Sequence, residues 1–167
     1  KTYRNKIREN LSPENIDYLL DYAAWLHAHS KSLEAVQLLY RQMAHGANDT
    51  RYWQLGAKIS KTTSGFESFY LDWTTEAIKY QPNDTQLQFA HLESLMLSNH
   101  WSRAANMSSE FLLEPQSAEH WGIHYLLCLY HGMMPKGLKM VEEQNVSRYF
   151  VASYRRLVQL GDGRFTR

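Results

Sequence analysis

The sequence predicts an all-α fold, a right-handed α-solenoid of antiparallel helix pairs, and three observations carry that expectation. Asn48-Asp49-Thr50 returns as Asn83-Asp84-Thr85, 35 residues later. Pro13 and Pro82 stand 69 residues apart, as do Ala35 and Ala104, so each pair spans two periods of the same beat. Self-similarity near 34 residues marks stacked helix–turn–helix units, because one helix pair alone cannot bury its apolar face. Strand signals, finally, are missing: there is no sustained period-two alternation, and Asp162-Gly163 has no strand pattern around it.

The elements follow in order. Ser12-Pro13-Glu14 reads as a helix start, with a capping serine, a proline preset for the first turn and an acid that suits the helix dipole. Ile16, Leu19, Leu20, Ala23 and Leu26 then form one apolar face. His29-Ser30-Lys31-Ser32 is a polar turn. Leu33, Val36, Leu39, Tyr40 and Met43 carry the second helix, which Gly46 is expected to close.

A new helix starts at Asp49 or Thr50 and packs through Trp53, Gly56, Ala57 and Ile59. Lys61 to Gly65 breaks it, and Ser64 with Glu67 is expected to form a capping box for the next helix. That helix runs to about Tyr80, with Phe66, Phe69, Tyr70, Trp73, Ala77 and Ile78 as its stripe. A third pair starts near Asp84, turns at Ser98-Asn99-His100 and ends at Glu114-Pro115. A fourth starts near Ser117 and turns at Gly132 to Pro135, with a short second helix over 136–143. A ninth helix is expected over 146–160. The repeats thus fall at about 13–46, 47–81, 82–115 and 116–145, with a partial repeat at 146–167 and the tail of a preceding helix at 1–12, all in one segment. The sequence reads as a piece of a longer array.

Composition narrows the function. Content of 44% apolar and 13% aromatic residues is globular, and it excludes a solvated tail. Eighteen basic against seventeen acidic residues leave a net charge of +1, which gives no drive toward nucleic acid. The single cysteine, Cys128, excludes an intrachain disulfide framework. No apolar run is long enough for a membrane span. None of this decides the compartment.

With these residues placed, the pattern resembles the tetratricopeptide repeat family, a 34-residue helix pair with a W-x2-L-G-x2-Y core in its first helix. The core reads Leu19-x2-Tyr22-Ala23-x2-Leu26 in the first repeat and Trp53-x2-Gly56-Ala57-x2-Ser60 in the second. Trp121 takes the tryptophan position in the fourth. Ala35, Ala104 and Gly137 take the small-residue position that opens the second helix. The second repeat needs one inserted residue and has Tyr70 or Phe69 at that position. Leu-Gly is absent in register, and Gln88 and His91 replace apolar residues in the third repeat.

The resemblance implies a non-catalytic scaffold whose first helices line a concave groove for a peptide or protein partner. Its groove positions carry over to Asp17, Leu20, Ala24 and His27; to Arg51, Gln54, Lys58 and Lys61; to Gln86, Phe89, Glu93 and Met96; and to Glu119, Gly122, Leu126 and Tyr130. Arg51, Lys58 and Lys61 suggest an acidic partner. The carboxylate clamp found in some members is not supported, since Leu20 and Ala24 stand where it needs Lys and Asn. A second reading is a repeat segment of a bacterial envelope protein that exports exopolysaccharide, periplasmic rather than cytoplasmic, with polysaccharide as partner.

Chemical motifs are scarce. His120, His124, Cys128 and His131 form one helical stripe, the basis of a third reading as a metal-binding helical domain. A straight helix presents only two of them to one ion, so no metal site is expected. There is no Gly-x-Ser-x-Gly and no phosphate-binding glycine loop, so neither catalysis nor a cofactor is expected.

Overall fold

A computed structural model describes residues 15–111 and 115–131. Among them lie eight helices and no strand: α1 (Ile16–Ala28), α2 (Ser32–Arg41), α3 (Met43–Gly46), α4 (Thr50–Thr62), α5 (Glu67–Tyr80), α6 (Thr85–Leu97), α7 (Trp101–Glu110) and α8 (Ala118–His131). The expected helices over 2–10, 136–143 and 146–160 fall outside the described residues, as does the start signal at Ser12 to Glu14. The chain divides into two compact units, Lys1–Leu87 and Gln88–Arg167, with the boundary inside α6.

In the first unit α1 packs on α2, and α4 packs on α1, α2 and α5. The predicted face of α1 is buried at Ile16, Leu19, Ala23 and Leu26, with Leu20 half-buried. The α1–α2 turn is a Schellman motif. Ser30 adopts φ 61, its N–H donates to the His27 carbonyl at 3.2 Å, and the Lys31 N–H donates to the Leu26 carbonyl at 2.8 Å. The helix-end carbonyls of Leu26 and His27 are thereby satisfied.

Helix α2 buries Ala35, Val36 and Leu39, whereas Leu33, expected inside, is exposed. At about 100° per residue, Leu33 lies roughly 110° round the helix from the centre of that buried stripe.

Gly46 plays a different part from the expected helix stop. Helix α2 ends at Arg41, α3 follows, and Gly46 is helical. Its lack of a side chain leaves room for the Tyr52 ring, whose Cδ2 would lie 2.3 Å from a Cβ there. Tyr52 is fully buried and its hydroxyl donates to the Leu39 carbonyl, which fastens α4 to the preceding pair.

The start of α4 is as predicted: Asp49 caps it, with Oδ1 accepting from the Arg51 N–H at 2.9 Å. Helix α4 buries Tyr52, Trp53, Gly56, Ala57, Ile59 and Ser60. The predicted capping box does not form. Gly65, at φ +84, turns the chain in a conformation that glycine adopts freely. Phe66 therefore becomes the N-cap of α5, with no side-chain cap, and Ser64 lies outside the helix.

Helix α5 buries Tyr70, Trp73, Thr74 and Ala77, while Phe66, Phe69 and Ile78 are half-buried. Trp73 centres an aromatic cluster, with ring centroids 4.8 Å from Trp53, 5.0 Å from Tyr52 and 5.2 Å from Tyr40. Polar tips inside the cluster are paired. Trp53 Nε1 donates to the Ala47 carbonyl at 2.8 Å, and Trp73 Nε1 donates to the Trp53 carbonyl at 2.8 Å.

In the second unit α7 packs on α8. From Gln88 to Met96, helix α6 is buried at every residue except the half-buried Ala90, including Gln88, His91, Glu93 and Ser94. The α6–α7 turn repeats the first one. Asn99 has φ 64, its N–H donates to the Met96 carbonyl at 3.1 Å, and the His100 N–H donates to the Leu95 carbonyl at 2.7 Å. Helix α7 buries Trp101, Ala104 and Ala105, and α8 buries Gly122, Ile123, Leu126 and Leu127. Ser117 Oγ accepts from the His120 N–H at 3.2 Å, as the expected start near Ser117 requires.

Candidate functional site

The residues expected to face a partner fall into two groups, those on α1 and α4 and those further along the chain. On α1 and α4 the side chains join the two helices. Arg51 Nη1 donates to Asp17 Oδ1 at 2.8 Å. Near the other end, His27 Nε2 lies 3.1 Å from Thr62 Oγ1, and His27 Nδ1 lies 2.8 Å from Ser32 Oγ. The Thr62 hydroxyl donates to the Lys58 carbonyl at 2.7 Å, so it accepts from His27 Nε2–H. In the neutral ring, Nδ1 then accepts from the Ser32 hydroxyl.

The two links have nearly the same sequence offset, 51 − 17 = 34 and 62 − 27 = 35. A constant offset means that α1 and α4 run in the same direction, side by side and in register; antiparallel helices would instead show a constant sum.

This register changes the electrostatics of the face. Arg51 also donates from Nη2 to Asp49 Oδ2 at 2.8 Å and from Nε to Asp49 Oδ1 at 3.1 Å. The Arg51 hydrogen bond, opposed by partial burial, holds the Asp49 carboxyl below the usual carboxylate range. The same bonds, to Asp49 and then Asp17, push the Arg51 guanidinium further up. Two carboxylates therefore already surround the first of the three expected cations.

Gln54 is engaged as well, its Nε2 donating to Asp84 Oδ2 at 3.3 Å. Asp84 Oδ1 in turn accepts from the Leu87 N–H at 2.9 Å and caps α6. Lys58 is exposed and forms no ion pair with any described residue. Lys61, one turn on, is half-buried. Ala24, opposite Lys58 in the same register, is exposed. The face thus runs from a carboxylate-rich end at Asp17, Asp49 and Asp84 to a lysine-bearing end at Lys58 and Lys61.

The repeat positions put Phe89 and Glu93 on the partner-facing side, but both are buried. Phe89 stacks on the His120 ring, with centroids 4.1 Å apart and planes 8° apart. The Tyr130 side chain lies outside the described residues, as do those of Cys128 and His131. Among the described residues no group of three His, Cys, Asp or Glu side chains is placed to hold a metal ion, and no helix is long and apolar enough to cross a membrane.

Sequence reasoning missed Asp49, Asp84 and Thr62 as members of this face. A signal existed for the first link, since Asp17 and Arg51 are opposite charges one period apart. Compared with known proteins, the chain matches no family model, no curated protein and no solved structure.

Proposed function

We propose that this chain is a non-catalytic helical-repeat scaffold of the tetratricopeptide type, a solenoid segment whose first helices hold a peptide or protein partner. The observation that carries the reading is the register of α1 and α4. Parallel first helices one period apart, each followed by its own antiparallel mate, are what stacked helix pairs produce. Such stacking sets the first helices in a row along one surface.

The partner segment is acidic where it meets Lys58 and Lys61. Arg51 contributes little to that attraction, because Asp17 and Asp49 already balance it. The test is selection of peptides from a random displayed library against the purified protein. Acidic sequences should be enriched, and Lys58→Glu with Lys61→Glu should weaken them about tenfold, roughly 1.4 kcal/mol. Arg51→Ala should have a smaller effect. A selected set with no acidic bias, or affinity unmoved by the lysine reversals, would sink the assignment.

A further inference from the structure

Ser60, Ser94, Ser108 and Ser109 each donate to a backbone carbonyl three or four residues earlier in the same helix. A carbonyl oxygen holds such a hydroxyl but cannot take its proton away. Ser32 is different. It is the first residue of α2, half-buried, and its Oγ lies 2.8 Å from Nδ1 of His27, the penultimate residue of α1. The imidazole is fixed from its other side by Thr62, the last residue of α4. The Thr62 hydroxyl donates to the Lys58 carbonyl at 2.7 Å, so its oxygen accepts from His27 Nε2–H at 3.1 Å. In the neutral ring Nδ1 is left with the lone pair that accepts from the Ser32 hydroxyl. Three helices thus supply one residue each to a serine–imidazole–threonine chain.

A hydroxyl within reach of a base, with the base held by a third group, is the arrangement that activates a weak nucleophile. The geometry points to Ser32 as a covalent modification site, an acyl acceptor for esters or thioesters that carry a good leaving group. Ser32 Oγ bonds to the acyl carbon as its proton passes to His27 Nδ1. The bond to the leaving group breaks, that group departs with the electron pair, and the imidazolium returns the proton to it. Charge that builds on the acyl oxygen does so beside the first turn of α2, where helix amides favour an anion and no side chain caps them. Thr62 is a positioning residue, since it holds the ring and touches no reacting atom. The acyl group stays on Ser32, so the chain gains a modification and not a turnover activity. No part of this step depends on the repeat reading.

The probe is p-nitrophenyl acetate, applied to the whole chain at neutral pH, with acetyl groups located over time by peptide mass mapping. Lys79, exposed on α5, serves as the internal rate reference. Ser32 should be acetylated at least about tenfold faster than Ser30, Ser64 and Ser68, which are all more exposed. His27→Gln still offers an oxygen to the Ser32 hydroxyl but no base, and it should slow Ser32 at least about tenfold relative to Lys79. His27→Ala serves as a second variant, and circular dichroism confirms that both remain folded. Thr62→Val should slow Ser32 about threefold, and Thr62→Ser should restore the rate. Two results would overturn the site: Ser32 acetylated no faster than Ser30, or acetylated at the wild-type rate in both His27 variants. A wild-type rate in Thr62→Val would overturn the positioning role.

Discussion

Replacing Gly56 by alanine sets two forces against each other, and the structure decides between them. Helix propensity alone favours alanine over glycine by about 1 kcal/mol in a helix interior. At residue 56 a Cβ would stand 2.1 Å from Cε2, 2.2 Å from Cζ2 and 2.4 Å from Nε1 of Trp73. Trp73 cannot simply retreat, because Tyr40, Tyr52 and Trp53 crowd its ring and it is buried. Overfilling such a core costs about 1–3 kcal/mol. Any shift also pulls Nε1 from the Trp53 carbonyl, 2.8 Å away, and a stranded buried donor costs about 1–3 kcal/mol more.

The net is a destabilisation of about 3 kcal/mol, and a fall in Tm on the order of 10 °C. Thermal and urea unfolding followed by circular dichroism would measure it. In a Trp73→Leu background the clash disappears, so Gly56→Ala should become neutral or stabilising there, a coupling that a double-mutant cycle reads directly. An alanine variant as stable as wild type or more so, or one whose cost persists without Trp73, would refute the argument.

Two further outcomes follow from the described geometry. Burial first, and Arg103 second, push the His91 imidazole down from 6.5 to about 4. Its contribution is therefore fully present above pH 6.5 and lost as pH falls from 6.5 toward 4, an acid penalty of about 3 kcal/mol. Urea unfolding across that range should show a shallower loss in His91→Leu than in wild type, and identical slopes would exclude His91 as the cause. Asp84→Ala removes the cap on the Leu87 N–H and the Gln54 contact together. It should cost about 1 kcal/mol and speed amide exchange in the first turn of α6, whereas Asp84→Asn should restore most of the protection.

Helix positions were legible because their signals are local. Asp49, Asp84 and Ser117 announce helix starts through chemistry that acts within three residues. Glycine roles were not legible in the same way. Gly46 next to a helix end reads as a left-handed stop, and only the Tyr52 ring, brought in by tertiary packing, shows that close approach is its purpose. Ser64 and Glu67 satisfy the capping-box pattern, but Gly65 between them redirects the chain.

The expected partner-facing residues met the same limit. Lys58 and Lys61 could be read along one helix, but the partners of Arg51 lie at an N-cap and one full period away. Glu93 was expected on the partner-facing side from its repeat position alone, and it is buried. From Gln88 to Met96 helix α6 is buried at every residue but Ala90, so a rule that assumes one exposed side fails there.

The spacing of the repeat has a structural cause that can be traced to one turn. The chain turns at Ser30, Gly65 and Asn99, the described residues with positive φ, at intervals of 35 and 34. Between α1 and α2, and again between α6 and α7, three residues intervene; between α4 and α5 there are four, Thr63 to Phe66. The residue inserted in the second repeat therefore sits in this turn, and it leaves the 13-residue first helix intact. It also resolves which aromatic replaces the small residue. Ala35 and Ala104 are the fourth residues of α2 and α7, and the fourth residue of α5 is Tyr70. All three are buried, while Phe69 is only half-buried. One residue of register turns a helix by about 100°, so if this same sequence began its helix after a three-residue turn, at Phe66, Phe69 would take the buried place and Trp73 would rotate away from Gly56. The longer turn is thus what aims Trp73 at the space that Gly56 leaves, and the glycine in that turn serves the same packing as the glycine in α4.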